Sequence, residues 1–511
     1  MKSLKSFSKY LLAGTLVMSL TNACTNLDET LYDELPVSEY QELAKNLTPD
    51  QIKSAKKSAY LKLAGGLAGG HNDLWSANEV SSDEMLIAQR GGDWFDGGQW
   101  IRVHRHETLP TEACLNNGWK TLYSGIAICN RLIVQIPAAQ PSLAATDVPE
   151  LRALRALFYW FLVENFGNVP ILTKFPGDLT EAASKSRAEV FAFIEKELND
   201  VAPSLSKNAD ASTNGTMNYW AAKAVLARLY LNANVYKGSP EWGKCVTTCD
   251  EILNSGKYII EPNYYANFDT LNERSKENIL VVPYDANATT GFNIAQMTLH
   301  YQSQKTYKLA DQPWNGYCSL SEFYDSYASN DKRKANFIEG QQYEYGTGLP
   351  LGEGGVNGTP SLIYTKNINE HFPNCDRTAG VRVGKYAFKT GTLNTIVNDY
   401  PFYRLGDVKL MKAEALWRQN AGDATALALV NEMRTRAGVA GLASLDAANL
   451  LAELGREKFA EGARRTDMVR FGTFTKPFQY KPANDPAGKA LFPIPQPQLD
   501  ANAQLKQNAD Y

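Results

Sequence analysis

Residues 150–172, ELRALRALFYWFLVENFGNVPIL, decide how this chain is read. Leu151, Leu154, Leu157, Phe158, Phe161, Leu162 and Phe166 recur at steps of three and four residues, which places them on one broad apolar face of a helix. Gly167 supplies the left-handed conformation that closes such a helix, and Pro170 forbids its resumption. Arg152 and Arg155 ride on a helix whose other positions are almost wholly apolar, so buried carboxylates or carbonyls are expected to pin them. The stretch is a core helix, and none of its residues is a catalytic candidate.

Working outward, the same periodicity returns in pairs. Ser186 followed by Glu189 makes a capping box that opens a helix over 188–201, with Val190, Phe191, Ile194, Leu198 and Val201 on its core face. A helix is expected over 219–236 and a partner over 242–255, with Gly256 at its end. This pair spans a little over one tetratricopeptide unit, and its Ala-x-x-x-Leu-Ala-Arg-Leu-Tyr-Leu run looks like one. A further pair is expected over 403–418 and 424–436, the second capped by Asp423. Stacking repeats need neighbours, so units far apart in sequence are expected to pack together.

Between 258 and 400 helical periodicity fades and Gly, Asn, Pro and Tyr accumulate. Residues 349–360, LPLGEGGVNGTP, form a turn-rich loop that matches no phosphate-binding pattern. Short strands are expected at 279–283 and 386–389. A second loop-rich stretch, 65–110, contains RGGDWFDGGQW (90–100), in which four Gly separate two Trp and two Asp.

Both termini carry patterns of their own. Lys2, Lys5 and Lys9 precede the apolar run 11–20, and Ala23 stands before Cys24. This reads as a secretory signal peptide over 1–23 with Cys24 acylated, although Thr21 stands where a lipobox usually has Leu or Val. Asp28 and Glu29 follow closely. Near the other end, REKFAEGARRTDMVRFG (456–472) is dense in Arg and carboxylates, and the chain closes on FPIPQPQLDANAQLKQNADY (492–511). Together with RALRALFYWFLVENFGNVPI these segments resemble, in order, the landmarks of the SusD/RagB family. Its members are surface-exposed nutrient-binding lipoproteins of Bacteroidetes outer membranes.

Composition excludes several classes of function. The 511 residues carry a net charge of −3 with a pI near 6.1, so no nucleic acid is expected as a partner. No nucleophile elbow, HExxH, CxxC or kinase set is present. His104 and His106 would share a strand face, but no third metal ligand is evident beside them. Glu457, Glu461 and Asp467 alternate with Arg456, Arg464, Arg465 and Arg470 on what reads as one helical segment, a pattern of structural ion pairing. Cys114, Cys129, Cys245, Cys249, Cys318 and Cys375 read mostly as small buried hydrophobes.

Binding is better supported than catalysis. Aromatics make up 11% of the chain, with 26 Tyr and 9 Trp, and those on loops have less reason to be core than those on helix faces. Trp75, Trp94 and Trp100 fall in the first loop-rich stretch, and Tyr301, Tyr307, Trp314 and Tyr317 in the second. Arg90, Asp93, Asp96, Gln312 and Asn315 are the polar candidates beside them. The resemblance implies that the ligand surface is built from loops in these same two regions.

The expected fold is mainly α: a superhelix of tetratricopeptide-like helix pairs with a loop-rich, partly β, ligand-binding face. An N-terminal part, 24–256, and a C-terminal part, 257–511, are expected to pack as one unit. The resemblance implies a lipid-anchored outer-membrane protein, not an enzyme, that captures oligosaccharide for a SusC-like TonB-dependent transporter. No cofactor is expected, and a calcium ion in the loops is not readable from the sequence. A peptide ligand and a surface glycoside hydrolase both stay open on the residues alone.

Overall fold

Pro141 starts the helix that the 150–166 pattern announces, and Asn165 ends it. Its apolar face is buried throughout, and Gly167 closes it at φ 74°. A side chain at Gly167 would also stand 2.6 Å from Leu491 Cδ1, so glycine serves both the turn and the packing. The two arginines are pinned as expected. Arg155 donates to Glu197 at 2.5 Å and to Asn130 Oδ1 at 2.6 Å, and Arg152 donates to Glu197 at 2.7 Å.

The computed structural model describes residues 45–511 apart from 286 and 288, so Cys24 and the signal segment lie outside the described residues. Leu47–Tyr511 fold as one compact unit. Counting the long helices only, α1 (Pro49–Tyr60), α2 (Ala113–Ala139), α3 (Pro141–Asn165) and α4 (Arg187–Val201) pack in series. Next come α5 (Tyr219–Leu231) and α6 (Trp242–Leu253), which form the expected pair. Then the chain leaves the stack for some 150 residues of loops and returns as α7 (Leu405–Gln419), seated directly on α6, with α8 (Ala424–Arg436) on α7. This is a superhelix of helix pairs whose neighbours are distant in sequence. Although α2 is long and apolar enough in composition to cross a membrane, it packs between α1 and α3.

Local signals explain most boundaries. Ser186 and Glu189 form the capping box of α4, and Asp423 caps α8 through the Ala426 amide. The helix expected over 219–236 is interrupted at Asn232, whose Nδ2 donates to the Arg228 carbonyl and ends α5. Tyr403 belongs to a strand rather than to α7.

Two short antiparallel ladders organise the loops. In the first, β1 (Met85–Ile87) pairs with β3 (Tyr317–Ser319), Met85 facing Ser319. In the second, β2 (Asn278–Val282) pairs with β4 (Tyr400–Arg404), Tyr400 facing Val282. The strand expected at 386–389 lies instead at Arg382–Val383. Tyr386 is held out of any ladder because its ring stacks on Tyr400 at 6.1 Å and its hydroxyl donates to the Ala460 carbonyl.

The charged segment 456–472 is two helices, not one. α9 (Ala447–Lys458) and α10 (Arg464–Phe471) are separated by a turn in which Ala460 and Gly462 take positive φ. Buried Glu84 and Glu79 accept the amides of Ala460 and Gly462 and hold that turn. The ion pairs are real, but many partners come from elsewhere. Arg404 donates to Glu277 at 3.0 Å, Glu457 at 3.1 Å and Glu461 at 2.7 Å, and Arg333 joins Glu453 and Glu457 at 2.8 and 3.1 Å. Burial opposes the charge on Glu457, but Arg436, Arg404 and Arg333 outweigh it and hold its carboxyl down to about 2. This hub fastens β4, α8, α9 and the loops around 277 and 333 to one another.

Candidate ligand-binding site

The β1–β3 ladder brings the two loop-rich stretches together, and Arg90 locks them. Its guanidinium donates to the carbonyls of Asn315 at 3.0 Å and Ala379 at 2.9 Å, and also reaches the Asp376 carbonyl. Asn315, at φ 59°, donates to the Arg377 carbonyl at 3.1 Å and accepts from Arg382 at 2.8 Å. Both residues were candidate ligand contacts. Both are buried, with their polar atoms spent on the chain itself, so they frame the site instead of lining it.

The tryptophans divide in the same way. Trp75 is buried and donates its indole N–H to the Tyr400 hydroxyl at 3.0 Å, and Trp100 is fully buried with its N–H on Asp96 at 2.8 Å. Neither can stack on a ligand. Tyr317, also fully buried, sits among them with Trp75, Trp94 and Trp100 all within 6.5 Å of its ring. Trp94 and Trp314 pack against the core yet stay partly exposed. Trp94 takes φ 61° and donates its indole N–H to the Trp314 carbonyl at 2.6 Å, which couples the two loops. Its ring lies where a side chain at Gly316 would stand, 2.4 Å from that position. Only glycine at 316 admits it.

His71, which the sequence reading passed over, completes the cluster. Its ring meets Trp94 edge-on at 5.2 Å and Trp314 at 6.1 Å, and its Nδ1 is 2.9 Å from the Tyr317 hydroxyl. Burial pushes the imidazole down to about 4 against the pull of Asp96, so it is neutral near pH 7. Beyond it opens a recess of about 520 Å³ whose walls include Lys62, Asn72, Asp73, Asn117 and Lys120. On the other side, the Tyr301 hydroxyl donates to Asp93, and the Arg377 guanidinium lies 5.7 Å from the Tyr301 ring centre. Burial first, then Asp93, pushes the Tyr301 phenol up to about 12. Tyr307 packs edge-on against Phe388 at 5.1 Å, and Gln312 is exposed.

Two other features are structural. His104 closes a short helix, Gln99–His104, and His106 follows at φ 59°, so they do not share a strand face. All four of their ring nitrogens are engaged, by the carbonyls of Val80, Gln479 and Ser81 and by Asp485. The six described cysteines are free and buried. A cavity of about 40 Å³ behind Trp75 and Trp160 has room for about a water molecule.

With this geometry in view, the likeness to known proteins is informative. Residues 276–511 match the SusD family, and residues 42–231 match a family described as starch-binding and associating with the outer membrane. The chain belongs to the SusD family. It is similar to the starch-binding protein SusD of Bacteroides thetaiotaomicron, at 28% identity over 500 residues covering 87% of this chain and 86% of that protein. A SusD-like protein of Bacteroides ovatus is 23% identical over 498 residues, covering 93% of this chain and 83% of that protein. Among solved structures, a laminarin-binding SusD-like protein superposes with a TM-score of 0.73 at 23% identity, covering 91% of this chain and all (100%) of that one. Surface glycan-binding protein A of Bacteroides thetaiotaomicron in complex with laminarihexaose superposes with a TM-score of 0.70 at 20% identity, covering 90% and 100%. At such identities these superpositions establish the SusD fold.

Proposed function

We propose that this SusD-like chain is a glycan-binding lipoprotein of the outer membrane, anchored through Cys24, that captures oligosaccharide for import by a TonB-dependent transporter. The observation that carries the binding role is the partly exposed pair Trp94 and Trp314, held in register by an indole-to-carbonyl bond and edged by a neutral imidazole. A sugar ring presents an apolar C–H face rimmed by hydroxyls. Indole faces suit the first, and the carboxylates of Asp93 and Asp96 with the Arg377 guanidinium suit the second. Starch and laminarin in the names of relatives support a glucan as ligand.

Binding without turnover is the reading preferred for the surface carboxylates too. Asp93 already accepts from the Tyr301 hydroxyl and Asp96 from the Trp100 indole, which suits positioning better than proton transfer. Recognition by rings and hydrogen bonds needs no metal, so EDTA is expected to leave affinity unchanged.

Titration of the protein with maltohexaose, laminarihexaose and a casein digest tests the reading. One of the glucans should bind, with little dependence on salt because the ligand is neutral, and no reducing sugar should appear on long incubation. Turnover lost on replacing one carboxylate would make the protein a hydrolase, and binding of peptide alone would make it a peptide receptor. For the anchor, Cys24→Ala should leave the protein soluble and unlipidated. For the partnership, gentle detergent extraction should bring a much larger β-barrel protein with it.

A further inference from the structure

The large aromatic side chains that stand well exposed in the described residues all fall in the two loop-rich stretches. Among the described residues they are Phe95, Tyr343, Tyr345 and Phe372, at 50, 50, 57 and 37% exposure. Phe95 follows Trp94 directly. Tyr343 and Tyr345 lie on a separate small β unit over 340–364, built from a hairpin, Leu351–Gly352 with Gly355–Val356, and a two-residue ladder that pairs Ile363 with Gln341. That unit has its own core of Leu351, Leu362 and Tyr364, all buried, so its folding does not require either exposed tyrosine. The two phenol rings are thus open to solvent without being needed to hold the unit together.

The unit is tied to the ligand site by contacts that run through Tyr301. The Arg377 guanidinium that lies over the Tyr301 ring also stands 3.9 Å from Glu353, at the turn of the hairpin. The Tyr345 amide donates to the Lys305 carbonyl at 3.1 Å, on the short helix Ser303–Tyr307 that follows Tyr301. The Lys308 ammonium sits 5.9 Å from the Tyr345 ring centre and helps fix the plane of that ring. Trp94, Asp93, Tyr301, Arg377 and Glu353 are thus joined link by link, and Tyr345 is tied separately to the helix that follows Tyr301.

We propose that the ligand track continues past Trp94 and Trp314, across Tyr301, onto this β unit, where Tyr345 and Tyr343 take further sugar rings of the same chain. The preferred ligand is then a long glycan chain rather than a short oligosaccharide. Phenol rings suit that task because they offer a flat apolar face with a polar edge at low cost in side-chain freedom. A surface continuous with the Trp94–Trp314 pair is filled by the same molecule that occupies the pair. The proposal rests on the glycan reading of that pair, and the test separates the two.

Affinities are measured for laminari- and malto-oligosaccharides of defined length, from about three to about twelve units, with wild type, Tyr343→Ala/Tyr345→Ala and Trp314→Ala. In the series that binds, wild-type affinity should keep rising beyond the hexasaccharide, by about tenfold at the longest chain. The double tyrosine variant should lose that gain, keep the hexasaccharide affinity and keep its melting temperature. Trp314→Ala should weaken every length. A wild-type plateau at or before the hexasaccharide would overturn the extended track. So would a double variant that still gains with length while Trp314→Ala weakens binding, and the tyrosines would then face a protein partner. Trp314→Ala without effect at any length, or no binding in either series, would remove the glycan reading itself and the extension with it.

Discussion

Two regions of this molecule invert the usual placement of residue types. In the hub around Arg404, charged side chains lie inside: Arg404, Glu277, Glu457 and Arg333 are all fully buried. On the loop face around Trp94, aromatic side chains stay partly outside, although fully buried Trp100 shows that the same loop can bury an indole. The hub spends its charges on one another, joining segments that are far apart in sequence. The face leaves its rings unspent. Burial of charge thus marks the scaffold here, and exposure of aromatics marks the site.

If that division holds, substitutions in the two regions should fail in different ways. The largest effect is expected from Arg404→Met, which leaves Glu277, Glu457 and Glu461 short of their shared cation. Loss of about 3–5 kcal/mol is expected in urea melts, with ligand affinity unchanged in whatever fraction stays folded. A melt close to wild type would show that the hub is dispensable. Trp100→Ala comes next. Its cavity, and the orphaned Asp96 contact, should cost roughly 3–4 kcal/mol of stability. A variant of wild-type stability that lost only affinity would place Trp100 among the ligand contacts after all.

Acid should act on the scaffold before it acts on the site. Burial pushes all five imidazoles below their usual range, to about 4 for His71 and His104 and about 3 for His300 and His371, with His106 lowered despite Asp485. At these five sites the unfolded chain takes up protons that the folded protein refuses, and on that account alone stability falls as pH drops from about 6.5 towards 4. Asp73 and Asp399, pushed up to about 6 by burial, work the other way, and so do Glu79, Glu84 and Asp407, which burial also raises. Five imidazoles are thus set against five carboxyls, and the net slope should be shallow. Affinity should stay flat down to about pH 5, because His71 remains neutral there. Stability that changes steeply between pH 7 and 5 would contradict this balance. The smallest effect is expected from Asp73→Asn, which keeps an acceptor for the Leu74 amide and removes one of the five opposing carboxyls. Its stability should fall a little more steeply on acidification than that of wild type.

The scaffold was legible because its signals are local. The stripe from Leu151 to Phe166, the Ser186–Glu189 box and the Asp423 cap each act within one or two turns of chain. The site was legible only to the level of its two loop-rich regions. Which tryptophans stay partly exposed depends on events far away in sequence: the Tyr400 hydroxyl that claims Trp75, and the Trp314 carbonyl and bare Gly316 that receive Trp94. Trp100 carries a local signal of its burial, since it stands three residues before Val103 in a short helix and shares its buried face. His71 carried no pattern at all. The break between α9 and α10 depends on Glu79 and Glu84, nearly 400 residues upstream, and no periodicity within 456–472 reports it.

The division between a charged interior and an aromatic face is tested most directly by Trp314→Ala, with affinity for the bound glucan and urea stability measured on the same preparation. Affinity should fall by about tenfold to a hundredfold, corresponding to roughly 1–3 kcal/mol, while stability changes by less than about 1 kcal/mol. Wild-type affinity in a folded Trp314→Ala protein would contradict the assignment of the Trp94–Trp314 pair as the ligand site.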